Sequence, residues 1–188
     1  MASWINHPAL RRSYDVAVVA VFTSLVIGSD FALAGIANFK LMDTIVFMVA
    51  FVFGLKQGAA VAVLSETVWS VVSPWGQAGA ISPFLIGGEL LFAFAGWGAA
   101  RIWGAEKKAI SPTAAFIGAT LAICAFIWDV ETNAATGLLA GANSFASILL
   151  YEVSGIPFMI PHELGDFLLG TLFAPATILM TSKFRKRG

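Results

Sequence analysis

The sequence contains several runs of about twenty mostly apolar residues, the length a helix needs to cross the hydrocarbon core of a bilayer. Runs of this kind leave no continuous polar face for water and exclude an ordinary soluble globule. Composition agrees, with 59% hydrophobic and 12% charged residues, against about 45–50% and 25% in soluble domains. The expected fold class is an all-α membrane protein, a compact six-transmembrane-helix bundle forming one integral membrane domain over residues 1–188, with both termini cytoplasmic. The expected spans are 16–37, 41–55, 58–72, 83–103, 112–133 and 162–182. As one helix, 41–72 would be about 47 Å long, too long for a single crossing. Gly54, Lys56, Gln57 and Gly58 interrupt it, so it reads as two helices of about 22 Å turning at Lys56. Arg11 and Arg12 precede an apolar run of full span length without a small-x-small cleavage site, so the first helix reads as retained rather than as a signal peptide.

Eleven Lys and Arg balance eleven Asp and Glu. There is no basic excess to suggest a nucleic-acid partner. The balance conceals a separation. With the amino terminus inside, Arg11, Arg12, Lys56, Arg101, Lys107, Lys108, Lys183, Arg185, Lys186 and Arg187 fall on the cytoplasmic side with Asp15 and Glu106, and only Lys40 falls outside, as the positive-inside rule requires. Asp30, Asp43, Glu66, Glu89, Asp129, Glu131, Glu152, Glu163 and Asp166 all map to the outer half. An ionisable group at membrane depth costs about 2.5–3.5 kcal/mol, so this concentration implies a polar pocket there.

Three local patterns line that pocket. Asp129, Thr132 and Asn133 share a helical face at i, i+3 and i+4, with Glu131 pointing away; His162 and Asp166 are i, i+4 at a helix start after Pro161; Glu66 and Trp69 are i, i+3. Intramembrane acids also serve as interhelical glue, and Glu163 near a helix amino terminus is favoured by the macrodipole alone. Trp4 and Trp103 match a cytoplasmic aromatic belt, whereas Trp75, in Ser73-Pro74-Trp75-Gly76, reads either as an outer belt anchor or as a lid over the pocket. The candidate substrate-binding residues are therefore Glu66, Trp69, Trp75, Glu89, Asp129, Asn133, His162 and Asp166. Cys124, alone in an apolar run, reads as a packed small residue.

The order of these pieces resembles the substrate-binding S component of an energy-coupling factor (ECF) vitamin transporter. The pieces are Gly35-Ile36-Ala37-Asn38-Phe39-Lys40-Leu41, the short helices joined through Gly54-Leu55-Lys56-Gln57-Gly58, the Ser73-Pro74-Trp75-Gly76 loop, the segment 129–133, and Pro161-His162-Glu163-Leu164. The resemblance implies a six-helix, multi-pass protein of a prokaryotic plasma membrane that captures a water-soluble vitamin from outside. It also implies docking on a transmembrane coupling subunit powered by two cytoplasmic ATPase subunits. No G-x-x-x-x-G-K-[ST] loop occurs, so ATP must be handled by such partners. Members of the family dock through small residues on the first helix, commonly an alanine pair four apart. This chain departs from the pair but has Ala20, Ser24 and Gly28 at four-residue steps, a small-xxx-small pattern that serves equally for packing inside the bundle.

An acidic pocket with aromatic rings suits a cationic heteroaromatic ligand such as thiamine, through charge neutralisation and cation–π contact worth about 0.5–2 kcal/mol. Protonated carboxylates would instead suit a neutral polyol or amide. The expectation is a binding subunit with no catalytic residue, cofactor or metal of its own. The competing expectation is a membrane-embedded metal-dependent enzyme. There His162-Glu163-Leu164-Gly165-Asp166 has the form of H-E-x-x-H with Asp in the last place, and Asp129 or Glu131 supplies a third ligand.

Overall fold

The computed structural model describes residues 8–103 and 110–185, and every regular element among them is helical. In chain order these are α1 (Pro8–Leu33), α2 (Met42–Phe53), α3 (Leu55–Val72), a single 3-10 turn (Gly79–Ile81), α4 (Ser82–Trp103), α5 (Ile110–Leu139) and α6 (Phe145–Arg185). The stretches Ala9–Leu33, Gly79–Ile102, Thr113–Leu139 and Phe145–Met180 are each long and apolar enough to cross a membrane. The all-α class and the membrane-spanning lengths agree with the sequence. Trp4, Glu106, Lys107, Lys108, Lys186 and Arg187, which entered the topology argument, lie outside the described residues.

The distribution of side chains is that of a protein whose solvent is lipid. Val21, Leu25, Leu149, Leu150, Ile156, Leu164, Leu168 and Leu172 are exposed, while Asp30, Asp43, Glu66, Glu89, Asp129, His162 and Asp166 are buried. In water this arrangement would forfeit both the hydrophobic gain and the hydration of the charges. In a bilayer it places ionisable groups in the bundle interior, where partners are available.

Helix α2 is the centre of the bundle. It packs on α1, α3, α4, α5 and α6, and nine of its twelve residues are buried, Phe47, Val46 and Val49 completely. Its length of about 18 Å is sustainable because neighbouring helices, rather than lipid, surround it. The turn into α3 falls at Gly54, not at Lys56 as the sequence suggested: Gly54 adopts φ +106° and ψ 167°, a backbone region essentially reserved for glycine. One residue therefore separates two helices. Gly58 lets them close, since a Cβ there would run into Ala50.

Three expected boundaries are corrected. Helix α1 ends at Leu33 rather than residue 37, and α5 continues past residue 133 to Leu139. The last helix does not open at residue 162; α6 starts at Phe145 and runs through Pro157, Pro161 and Pro175. Its start is built from local chemistry. Gly141, at φ +93°, ends α5 in a Schellman motif, with Gly141 N–H donating to Leu138 O (3.0 Å) and Ala142 N–H to Gly137 O (2.9 Å). Ser144 and Ser147 then form a reciprocal capping box, each backbone N–H donating to the other hydroxyl at 3.0 and 3.2 Å. Proline interrupts a helix because it lacks an N–H and crowds the preceding turn, but packing against neighbouring helices lets membrane helices carry it. His162 and Asp166 consequently sit in the middle of a long helix, and the macrodipole account of Glu163 lapses.

Candidate functional site

The connection between α1 and α2 carries the first site residues. Asp30, buried near the end of α1, accepts the Leu41 N–H through Oδ1 at 2.9 Å and so ties the loop back to the helix it leaves. Asn38 takes the left-handed conformation (φ 56°), one that asparagine tolerates better than most residues. Its side-chain amide donates to Asp129 Oδ1 (3.4 Å) and to the Phe158 carbonyl (3.3 Å), bridging α5 and α6 across the loop.

Lys40, expected in an outer loop, is folded inward with its side chain only 10% exposed. Its ammonium donates to Glu89 Oε1 at 3.2 Å, lies 3.5 Å from Asp43 Oδ1 at ion-pair distance, and sits 4.5 Å from the centre of the Trp128 ring. Burial opposes the charge of this loop lysine, but the carboxylates of Asp43, Glu89, Glu66 and Asp30 outweigh it and hold its pKa well above the ordinary lysine value. Trp128 is steered by its Nε1–H donating to the Leu85 carbonyl (3.4 Å) and by Gly88, where a Cβ would collide with the indole. Its ring meets His162 edge-on at 5.2 Å.

His162 is the hub. Its Nδ1 lies 3.0 Å from Asp129 Oδ2 and its Nε2 3.3 Å from Asp43 Oδ2. One turn on, Asp166 is buried with neither carboxylate oxygen hydrogen-bonded. Asp43, His162 and Asp166 each present a donor atom, all within 4.8 Å of one another, and together they are the described residues able to hold a metal ion.

A cavity of about 250 Å³ adjoins this cluster, lined by Ala37, Asn38, Trp69, Ser73, Trp75 and Phe158. Trp69 is partly buried and braced edge-on by Phe31 at 5.3 Å, whereas Trp75 is 63% exposed at the rim. A larger groove of about 840 Å³ lies at the opposite ends of α1 and α3, lined by Arg11, Arg12, Asp15, Lys56 and Gln57 among others. The structure thus brings together basic residues that the topology argument assigned to one side.

Of the residues singled out from sequence, Glu89, Asp129, His162 and Asp166 lie in the buried cluster, and Trp69 and Trp75 line the cavity. Glu66 is buried on α3, accepting from Ser70 Oγ at 3.1 Å. Asn133 is turned elsewhere: its amide donates to Glu152 Oε2 (3.5 Å), and it packs where a side chain at Gly155 would stand. Glu131 is exposed and no third metal ligand, and Asp129 is engaged by Asn38 and His162 Nδ1. The third donor is Asp43. Ala20, Ser24 and Gly28 are all exposed on α1, which removes packing inside the bundle as the reason for the stripe. Sequence reasoning missed Asn38, Lys40 and Asp43 as site residues. A signal was present for two of them, since Lys40 and Asp43 are an i, i+3 charge pair inside an otherwise apolar stretch. No known protein family, curated protein or solved structure matches the chain.

Proposed function

We propose that this protein is the substrate-binding membrane subunit of an uptake system for a small water-soluble micronutrient, as in the S components of ECF vitamin transporters. The observation that carries the reading is Asn38, which lines the cavity with one side and hydrogen-bonds Asp129 with the other. A ligand between Trp69 and Trp75 therefore rests on a floor tied to the carboxylate cluster. Two indole rings over Asn38, itself tied to a buried cluster rich in carboxylates, favour a cationic heteroaromatic substrate of thiamine's class, and about 250 Å³ suits a molecule of one or two small rings. The exposed stripe Ala20, Ser24 and Gly28 supplies a face for close helix–helix approach by a transmembrane coupling subunit, itself driven by two cytoplasmic ATPases.

The test is native mass spectrometry of the purified protein, followed by thermal shift with a vitamin panel. The expected result is one retained small molecule and one vitamin that stabilises by about 2.7 kcal/mol at 100-fold its Kd. Trp75→Ala should weaken that binding about tenfold, the loss of roughly one ring contact, while leaving the unliganded melting temperature unchanged. A panel producing neither a retained mass nor a shift refutes the proposal.

A further inference from the structure

The geometry points to a metal site, distinct from the cavity, in which Asp43 Oδ2, His162 Nε2 and Asp166 bind a divalent first-row transition-metal ion. The inference goes beyond the binding-subunit reading and does not rest on it.

The first observation is the orientation of His162. Nδ1 faces Asp129 Oδ2 at 3.0 Å, and an N–H donated there leaves the lone pair of Nε2 directed at Asp43 Oδ2, 3.3 Å away. A nitrogen lone pair and a carboxylate oxygen do not share such a gap unless something positive lies between them, a proton or a metal ion. The carboxylate–imidazole–metal arrangement, with a carboxylate fixing the tautomer from behind, is the usual way proteins orient a ligating histidine. Here Asn38 in turn fixes Asp129.

The second observation is independent of the first. Asp166 is 1% exposed, and neither of its oxygens has a hydrogen-bond partner, although it shares the three-donor cluster. A buried carboxylate left unpartnered is costly. A cation in the cluster answers that cost.

The dimensions fit. Two donors each about 2.0–2.2 Å from an ion stand at most about 4.4 Å apart, so a cluster spread over 4.8 Å need contract by only a few tenths of an ångström. His162 and Asp166 are i, i+4 on α6, the spacing that lets one helix face contribute two ligands. Charge also fits: Asp30, Asp43, Glu66, Glu89, Asp129 and Asp166 are six buried carboxylates, facing two groups able to carry positive charge, Lys40 and His162. Lys40 remains on Asp43 Oδ1 and Glu89 Oε1, leaving Asp43 Oδ2 free to ligate. One imidazole and two carboxylates favour Mn²⁺, Fe²⁺, Co²⁺ or Zn²⁺ over the soft Cu⁺, which thiolates select. Three protein ligands also leave coordination positions for solvent.

The experiment strips the purified protein with chelator and titrates it with Zn²⁺, Mn²⁺ and Co²⁺. It reads stoichiometry by elemental analysis, affinity by calorimetry, and the ligand field by Co²⁺ absorption. The expected result is one ion per chain, with affinity falling at least 100-fold in His162→Ala and Asp166→Asn and 10–100-fold in Asp129→Asn, the usual loss for a residue behind a ligating histidine. Glu131→Gln should bind as the parent does. Asp166→Asn is nearly isosteric and keeps the test open if His162→Ala fails to fold. Absence of stoichiometric binding of all three ions, as expected if only a proton bridges His162 and Asp43, overturns the proposal, as does binding that Asp166→Asn leaves intact.

Discussion

Replacing Lys40 with methionine removes the cation from a nest of buried carboxylates while keeping most of the side-chain volume. The ammonium lies 3.2 Å from Glu89 Oε1 and 3.5 Å from Asp43 Oδ1, and both acids are fully buried. At an effective dielectric constant of about 20, each pair attracts by roughly 5 kcal/mol, and a large part of this repays the desolvation of the charges. The net expectation is that of breaking a buried pair by deleting one partner, about 3–5 kcal/mol. At about 2–4 °C per kcal/mol for a chain of this size, the melting temperature should fall by roughly 6–20 °C. The assay is thermal unfolding in detergent followed by intrinsic fluorescence, for which the chain carries six tryptophans. The double variant Lys40→Met with Glu89→Leu should recover much of the loss, because replacing both members of a buried pair with apolar groups is often near neutral. A single-variant loss below about 1 kcal/mol, the level of an exposed ion pair, would refute the claim that Lys40 works inside the cluster.

Two further outcomes follow from packing and capping. Gly96→Ala should cost about 1–3 kcal/mol by overpacking, because a Cβ there meets the Phe47 carbonyl of the central helix, whereas Gly98→Ala meets nothing within 4 Å and should be neutral or stabilising by up to about 1 kcal/mol; thermal unfolding of the pair checks both. Ser144→Ala should cost about 1 kcal/mol by removing half of the capping box, and hydrogen exchange should show earlier loss of protection in the first turn of α6 than elsewhere in that helix.

Part of the candidate site was legible because it depends on neighbours in sequence. His162 and Asp166, or Glu66 and Trp69, share a face by helical periodicity alone, and Trp75 stands in a loop whose composition marks it as a turn. Sequence reasoning missed the start of α6, which Gly141 and the Ser144/Ser147 pair mark, because Pro161 reads locally as the opening of a new helix. A proline that would end a water-exposed helix is carried inside a membrane helix where neighbouring helices pack against the broken turn.

The class of the protein and the kind of interior it has follow from the order of its apolar and acidic residues alone. Long apolar runs admit only helices that bury their backbone hydrogen bonds, and acids placed among them must find one another or a ligand. Which acids meet depends on how the helices pack. Asp43 reaches His162 across 119 positions and Asp129 reaches it across 33. Lys40 turns inward onto Glu89 while Asn133 turns away toward Glu152. Periodicity assigns a residue to a face of its own helix, but the partner of that face is set by how α2 is enclosed, by the turn at Gly54 and by where Gly58 and Gly88 let neighbours approach. Those are contacts between distant segments, and no local pattern carries them.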